Sequence, residues 1–143
     1  MAVLCLVACE KNSLNGSYLD LGLPSGTKWK TTNEYGYYEY RDAIAKFGNN
    51  LPTKEQFEEL VNECIWTWEN GDYKVVGPNG RSITLPACGS RDIEGVVRNS
   101  NHGFYWSSTS AGSGFAWQLH FISSSVLVQE EDIPHFNSIR LVR

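Results

Sequence analysis

The sequence predicts an α+β domain, two short helices packed on a mainly antiparallel, short-stranded sheet. Three observations carry that expectation. Two apolar stripes occur early, Tyr40, Ala43, Ile44 and Phe47, then Phe57, Leu60, Val61 and Cys64, each at the i, i+3, i+4, i+7 spacing of one helix face. From Ile65 onward apolar residues alternate instead, as they do in half-buried strands. The alternating runs are cut by strong turn chemistry, Asn70-Gly71 and Gly77-Pro-Asn-Gly80. At 143 residues, with 41% hydrophobic and 20% charged residues, the chain suits one globular domain with a genuine core.

In order, the chain opens on an apolar run, Ala2 to Ala8, ending Leu6-Val7-Ala8-Cys9 before polar Glu10-Lys11-Asn12-Ser13. This resembles the bacterial lipobox, in which small residues precede a cysteine that is lipidated once the leader is cut. Residues 1–17 are therefore read as leader and tether, with Cys9 as the lipidation site, and 18–143 as the domain; the competing reading is an N-terminal strand. Tyr18 to Leu23 and Thr27 to Thr32 read as strands around a Pro24-Ser-Gly26 turn. A short helix over Glu39 to Phe47 stops at Gly48. The clearest helix spans Leu51 to Cys64: Thr53 and Gln56 have capping-box spacing, and Pro52 and Phe57 stand at staple positions. Strands follow at Ile65–Glu69, Tyr73–Val76, Ser82–Leu85, from Phe104, at Phe115–Ile122, around Val126–Val128 and at Ser138–Arg143. The stretches 35–40, 86–103 and 130–137 read as loops.

Charge and motif spacing exclude several functions. A net charge of -4, without a Lys/Arg cluster, argues against nucleic acid as a partner. His102, His120 and His135 are too scattered for a metal-binding helix motif, so no metal or cofactor is expected. Glu130-Glu131-Asp132 offers hard oxygen ligands suited to calcium, but reads first as a solvated acidic loop. Ser107, His102 and Asp92 make a triad only on paper, because no nucleophile elbow surrounds the serine. Cys64 and Cys88 are open to two readings, a disulfide in an oxidising compartment or two small buried apolar residues. Trp106 and Trp117 are expected in the core by strand alternation.

Several motifs stand in an order similar to the Fibrobacter succinogenes major paralogous domain family. They are Tyr18-Leu-Asp-Leu-Gly-Leu-Pro-Ser-Gly-Thr-Lys-Trp, Leu51-Pro-Thr-Lys-Glu-Gln-Phe-Glu-Glu-Leu, Cys64-Ile-Trp-Thr-Trp, Tyr73-Lys-Val-Val-Gly-Pro-Asn-Gly, Ile83-Thr-Leu-Pro-Ala, Gly103-Phe-Tyr-Trp-Ser-Ser-Thr and Ile139-Arg-Leu-Val-Arg143. The resemblance runs over nearly all of the chain from Tyr18. It implies a C-type-lectin-like fold, similar to formylglycine-generating enzymes, and an exported lipoprotein of Bacteroidota or related bacteria, held in the cell envelope and touching membrane only through its lipid anchor. The enzymes' catalytic cysteine pair and the calcium tripeptides of sugar-binding lectins have no counterpart here, so neither function carries over.

The functional expectation rests on the C-terminal segment. Its inward residues, Leu119, Phe121, Val126 and Ile139-Arg-Leu-Val, stay in the family's type, whereas the alternate positions depart from it. The candidate ligand-binding face is Gln118, His120, Ile122, Ser125, Leu127, Gln129, Glu130, Glu131, Asp132, His135, Phe136 and Asn137, with Phe136 as an aromatic anchor. Such a face suits non-catalytic recognition of a protein or glycan. It is also compatible with a target of diversity-generating retroelements, which rewrite adenine-containing codons near the C-terminus; drift on a solvent face gives the same pattern. The rival readings are a structural, fimbria-associated component without a ligand and, last, an enzyme akin to the formylglycine-generating proteins.

Overall fold

The computed structural model describes residues 16–143. Strands β1 (Tyr18–Asp20) and β2 (Lys28–Lys30) pair antiparallel across the expected turn, where the Gly26 amide donates to the Leu23 carbonyl. β3 (Tyr38–Glu39) runs straight into α1 (Tyr40–Phe47), which stops at Gly48, whose φ of 51° suits glycine. A 3-10 turn (Gly48–Asn50) leads to α2 (Lys54–Glu63). Thr53 Oγ1 accepts from the Gln56 amide at 3.1 Å and Gln56 Oε1 accepts from the Thr53 amide at 2.8 Å, so the capping box closes as its spacing requires. Phe57 and Leu60 are fully buried, with Val61 and Cys64 packed against the same cluster.

Next comes an antiparallel meander of β4 (Ile65–Glu69), β5 (Asp72–Val76) and β6 (Ser82–Pro86). Asn70 and Gly71 both take positive φ, 53° and 86°, as a tight hairpin turn demands. The short strands β7 (Ser90–Arg91) and β8 (Val97–Arg98) precede a second meander, β9 (Gly103–Ser110), β10 (Phe115–Ile122) and β11 (Ser125–Asp132). β12 (Phe136–Asn137) completes a small sheet in the order β3-β12-β7-β8. The described residues thus form an α+β arrangement of two short helices and mainly antiparallel strands.

Two expectations are corrected here. The stretches read as loops, 35–40, 86–103 and 130–137, supply β3, β7, β8 and β12, and these pair with one another. Two-residue strands have no period to read, and apart from the local β7–β8 pairing their partners lie far away in the chain. Glu130 to Asp132 likewise extend β11 as strand rather than forming an acidic loop. The final segment is the converse case. Ser138 to Arg143 makes only isolated bridges, Trp29 with Val142 and Tyr105 with Ser138, yet it is buried up to Val142. Its backbone bonds to Lys28, Lys30 and Asn50 tie the first hairpin to the rest of the domain.

The second meander separates two apolar clusters. On one face Tyr105, Leu119 and Phe121 join Trp29, Phe57, Leu60, Tyr73 and Leu85. Across the sheet Trp106 and Ala116 join Ala43, Leu51 and Ile139. Trp106 is fully buried, as alternation predicts. Trp117 is half-buried instead, with Lys54 Nζ 3.9 Å over its ring.

The proposed pairing of Cys64 with Cys88 does not form. Cys88 is disulfide-bonded, whereas Cys64 is a free thiol at the end of α2, packed as a small apolar residue against the larger cluster. Burial pushes the Cys64 thiol up to about 11, and the charges of Glu59 and Glu63 add to the effect. Only the thiolate is nucleophilic. Iodoacetamide labelling of Cys64, followed by peptide mass mapping, should therefore keep rising about tenfold per pH unit past the ordinary thiol range near 8.5. A plateau by pH 9 would contradict that environment. The leader reading and Cys9 lie outside the described residues, and among those described no helix is long and apolar enough to cross a membrane.

Candidate functional site

Strand register decides which side chains meet. β10 places Gln118 opposite Gln129 of β11 and Trp106 of β9; two residues on, His120 stands opposite Leu127 and Phe104. These side chains share one face, since directly opposed residues project to the same side. Between Ala116 and Gln118 the pairing with β9 slips, and Ser108 and Thr109 bond to the start of α2 instead: the Ser108 amide donates to the Pro52 carbonyl, and Thr109 Oγ1 accepts from the Lys54 amide. The bulge locks this sheet to the helix. It leaves the opposite end of the face to be walled by β7, β12 and the turn before β9.

There the structure has a cleft of about 280 Å³. Of the predicted residues it gathers Gln118, His120, Gln129, Glu131, His135 and Asn137. Its other lining residues, Ser90, Asn99, His102 and Phe104, were outside the predicted face. All three histidines of the chain therefore converge, although 33 residues separate the first from the last (135 less 102). Scattering in sequence did not prevent convergence in space. The one signal that would have found His102 and Phe104 is the β9–β10 register, which sets Phe104 against His120.

The cleft is organised by two hydrogen-bonded chains. In the first, His102 Nδ1 lies 2.9 Å from His120 Nε2, and His120 Nδ1 lies 3.1 Å from Gln129 Nε2. The Gln129 amide nitrogen can only donate, so His120 Nδ1 accepts and its Nε2–H is left to donate to His102. Phe104 stacks on His120 at 4.5 Å and 4° and on His102 at 5.6 Å and 16°, which holds both rings in nearly one orientation. Burial holds His120 below the ordinary histidine range, and His102 adds to this, while the Glu131 carboxylate opposes it. His120 is the neutral partner that the chain of bonds needs.

In the second chain Asn137 Nδ2 donates to Gln118 Oε1 at 2.9 Å, and Gln118 Nε2 donates to Glu131 Oε2 at 3.5 Å. His135 Nε2 stands 3.6 Å from Glu131 Oε1. Gln118 and Asn137 were expected outward, but both are buried, because β12 covers this end of the sheet and each amide pairs with the other. They form the cleft's floor. Glu131, Asp132 and His135 each bring a potential metal-ligand atom within 4.8 Å of the others.

The remaining predicted residues do not join the cleft. Ile122, Ser125 and Leu127 lie beyond it on the same sheet, with Leu127 about half exposed. Glu130 alternates to the other side of β11 from Gln129 and Glu131, and Asp132 does not line the cleft although its carboxylate stays within 4.8 Å of the Glu131 and His135 ligand atoms. Phe136 is half-buried beneath Arg91, whose guanidinium stands 4.5 Å from the ring, so it is no free anchor. Nor do Ser107, His102 and Asp92 assemble. Ser107 is buried and donates to the Trp117 carbonyl, and Asp92 pairs with Arg98 within the β7–β8 hairpin.

A family model described as a domain of unknown function (DUF8237) matches residues 53–142. No curated protein and no solved structure matches the chain.

Proposed function

The chain belongs to the DUF8237 family, domains of unknown function, and from that premise we propose that it is a non-catalytic binding module that takes a small hydroxyl-rich ligand, a glycan terminus, in the His120–Glu131 cleft. One observation carries this reading: Gln118, Asn137, Gln129 and the histidines are already bonded to one another around a concave space, so the cleft's donors and acceptors are preset. A volume of about 280 Å³ sits at the small end of ligand clefts, which run from about 300 Å³. Amides, imidazoles and one carboxylate supply mixed donors and acceptors, which suits sugar hydroxyls, each of them both donor and acceptor.

The same reading takes the fold as C-type-lectin-like, akin to the Fibrobacter succinogenes major paralogous domain family, and the domain as an envelope lipoprotein tethered through Cys9. The site differs from the broad sheet face in being concave and confined to one end. Glycan-array screening of the purified chain should find saturable binding to one class of glycan terminus. Gln129→Ala and Glu131→Ala, both on the strand's open side, should each weaken that binding about tenfold, as the loss of one buried hydrogen bond implies. Array binding unaffected by either change would move the site elsewhere, and a blank array would favour a structural component.

A further inference from the structure

Gln129 hangs from a pair of histidines that can reverse its direction. His102 Nδ1 and His120 Nε2 face each other at 2.9 Å, and His120 Nδ1 lies 3.1 Å from Gln129 Nε2. Phe104 stacks on both rings and keeps them in line. The two facing nitrogens hold one hydrogen between them, because two would collide and none would leave lone pair against lone pair. In the neutral pair the second hydrogen sits on His102 Nε2, since the Gln129 amide nitrogen already donates to His120 Nδ1. The bonds then run from Gln129 to His120 to His102. Gln129 Oε1 is turned away from the imidazole, and no hydrogen bond among the described residues engages it. Gln129 lines the cleft, so at neutral pH it presents an acceptor there.

One added proton has a single outcome. Whichever ring bears the charge, the protonated pair carries a hydrogen on each outer nitrogen and one between the rings. His120 Nδ1 then donates, and it meets the Gln129 nitrogen, which also donates. Turning the amide about its last side-chain bond puts oxygen where nitrogen was and removes the conflict. A further proton would set two N–H groups head to head, so the packed pair takes up one proton and no more. The charged and titratable groups facing His120 are His102 from the turn before β9, Glu131 of β11 and His135 from the loop after it. The side chains that β7, β9, β10 and β12 bring to the cleft are uncharged. Burial, then His102, hold the His120 proton affinity down against the pull of Glu131, so the step falls below the ordinary histidine value of about 6.5.

We propose that the His102–His120 pair is a one-proton acid sensor whose protonation reverses the Gln129 side chain, changing that position of the cleft from hydrogen-bond acceptor to donor. A sugar hydroxyl that donates to Gln129 at neutral pH then meets an N–H and must reorient against its other partners. Binding should weaken about tenfold across the step, the worth of one lost hydrogen bond. This consequence for binding rests on the glycan reading of the cleft; the proton step does not.

The step is read without any ligand, by nitrogen-resolved NMR of the imidazoles and the Gln129 amide in the full chain, titrated from about pH 8 to about pH 5. At the upper end both His102 and His120 should carry their hydrogen on Nε2. On acidification His120 Nδ1 should gain a hydrogen at the same midpoint at which the Gln129 amide signals shift, with one proton taken up per pair. Gln129→Glu, whose carboxylate accepts and does not donate, should raise that midpoint by about one pH unit or more. Melting curves identify a substituted chain that fails to fold; the spectra of the unsubstituted chain then decide by themselves. A His120 Nδ1 already protonated at about pH 8, separate midpoints for His120 and Gln129, two protons taken up by the pair, or a folded Gln129→Glu chain with an unmoved midpoint would overturn the proposal. A blank glycan array beside the expected step would sink the glycan reading alone, and saturable glycan binding beside separate midpoints would sink the acid sensor alone.

Discussion

Replacing Arg140 with methionine is expected to cost about 3–5 kcal/mol, lowering Tm by about 10–20 °C. Arg140 is fully buried, and its acceptors are uncharged oxygens. Nε donates to Asn33 Oδ1 at 2.9 Å, Nη1 to the Lys30 carbonyl at 3.0 Å and Nη2 to the Thr84 carbonyl at 2.6 Å. One guanidinium thereby joins the first hairpin, the first meander and the C-terminal segment. Asn33 passes the connection on, donating to the Tyr105 hydroxyl, which itself donates to the Pro86 carbonyl. Burial pulls the Arg140 pKa down to about 10 against the smaller opposing effects of Tyr105, Glu34 and Asp72, so the charge is held at a cost. Methionine removes that cost but takes the donor from the buried Asn33 oxygen and from the partly buried Lys30 and Thr84 carbonyls, at about 1–3 kcal/mol for each acceptor left unpaired, and the second effect wins. Arg140→Lys should recover little, because an ammonium cannot present the planar fork that reaches three acceptors. Urea unfolding followed by circular dichroism measures both variants. A loss below about 1 kcal/mol for Arg140→Met would mean that the freed carbonyls find other donors.

Gly103→Ala should be nearly as severe, about 3 kcal/mol, although it adds one methyl group. Gly103 pairs with Phe121 across β9 and β10, and a Cβ at Gly103 would collide with the Phe121 ring. The ring has nowhere to go. It is fully buried, edge-on to Tyr73 at 5.1 Å and to Trp66 and Trp68 at 6.3 and 6.4 Å, and stacked near Tyr105 at 6.0 Å. Backbone conformation is not the difficulty, since Gly103 has no positive φ. The cause can be isolated with a double-mutant cycle. Phe121→Leu makes room, so Gly103→Ala in that background should be at least 1.5 kcal/mol less costly than alone. Simple additivity of the two changes would show that the ring contact is not the source.

Legibility in the sequence followed the range of the interactions. The α2 helix could be read to its cap because Thr53, Gln56, Phe57 and Leu60 sit within a few residues of one another and act through neighbouring amides. The meanders were equally readable: alternation and the Asn70-Gly71 turn are local signals. The sheet β3-β12-β7-β8 was not, because each strand is two residues long and β12, at its centre, pairs with segments far away. That one omission altered the site. Without β12 in place, Gln118 and Asn137 looked outward and Phe136 looked like a free anchor; with it, the amides become the floor and Arg91 covers the ring.

Local periodicity by itself therefore determined the α+β class, the two helices, the faces of β10 and the burial of Trp106, since propensity and amphipathic spacing act over one or two turns of chain. Tertiary structure alone decided that His102, His120 and His135 share a cleft, that Cys64 stays a free thiol while Cys88 is bonded, and that Arg140 is held by carbonyls. Each of those outcomes depends on strand register and on contacts between residues far apart in the chain, and such contacts leave no period in the sequence.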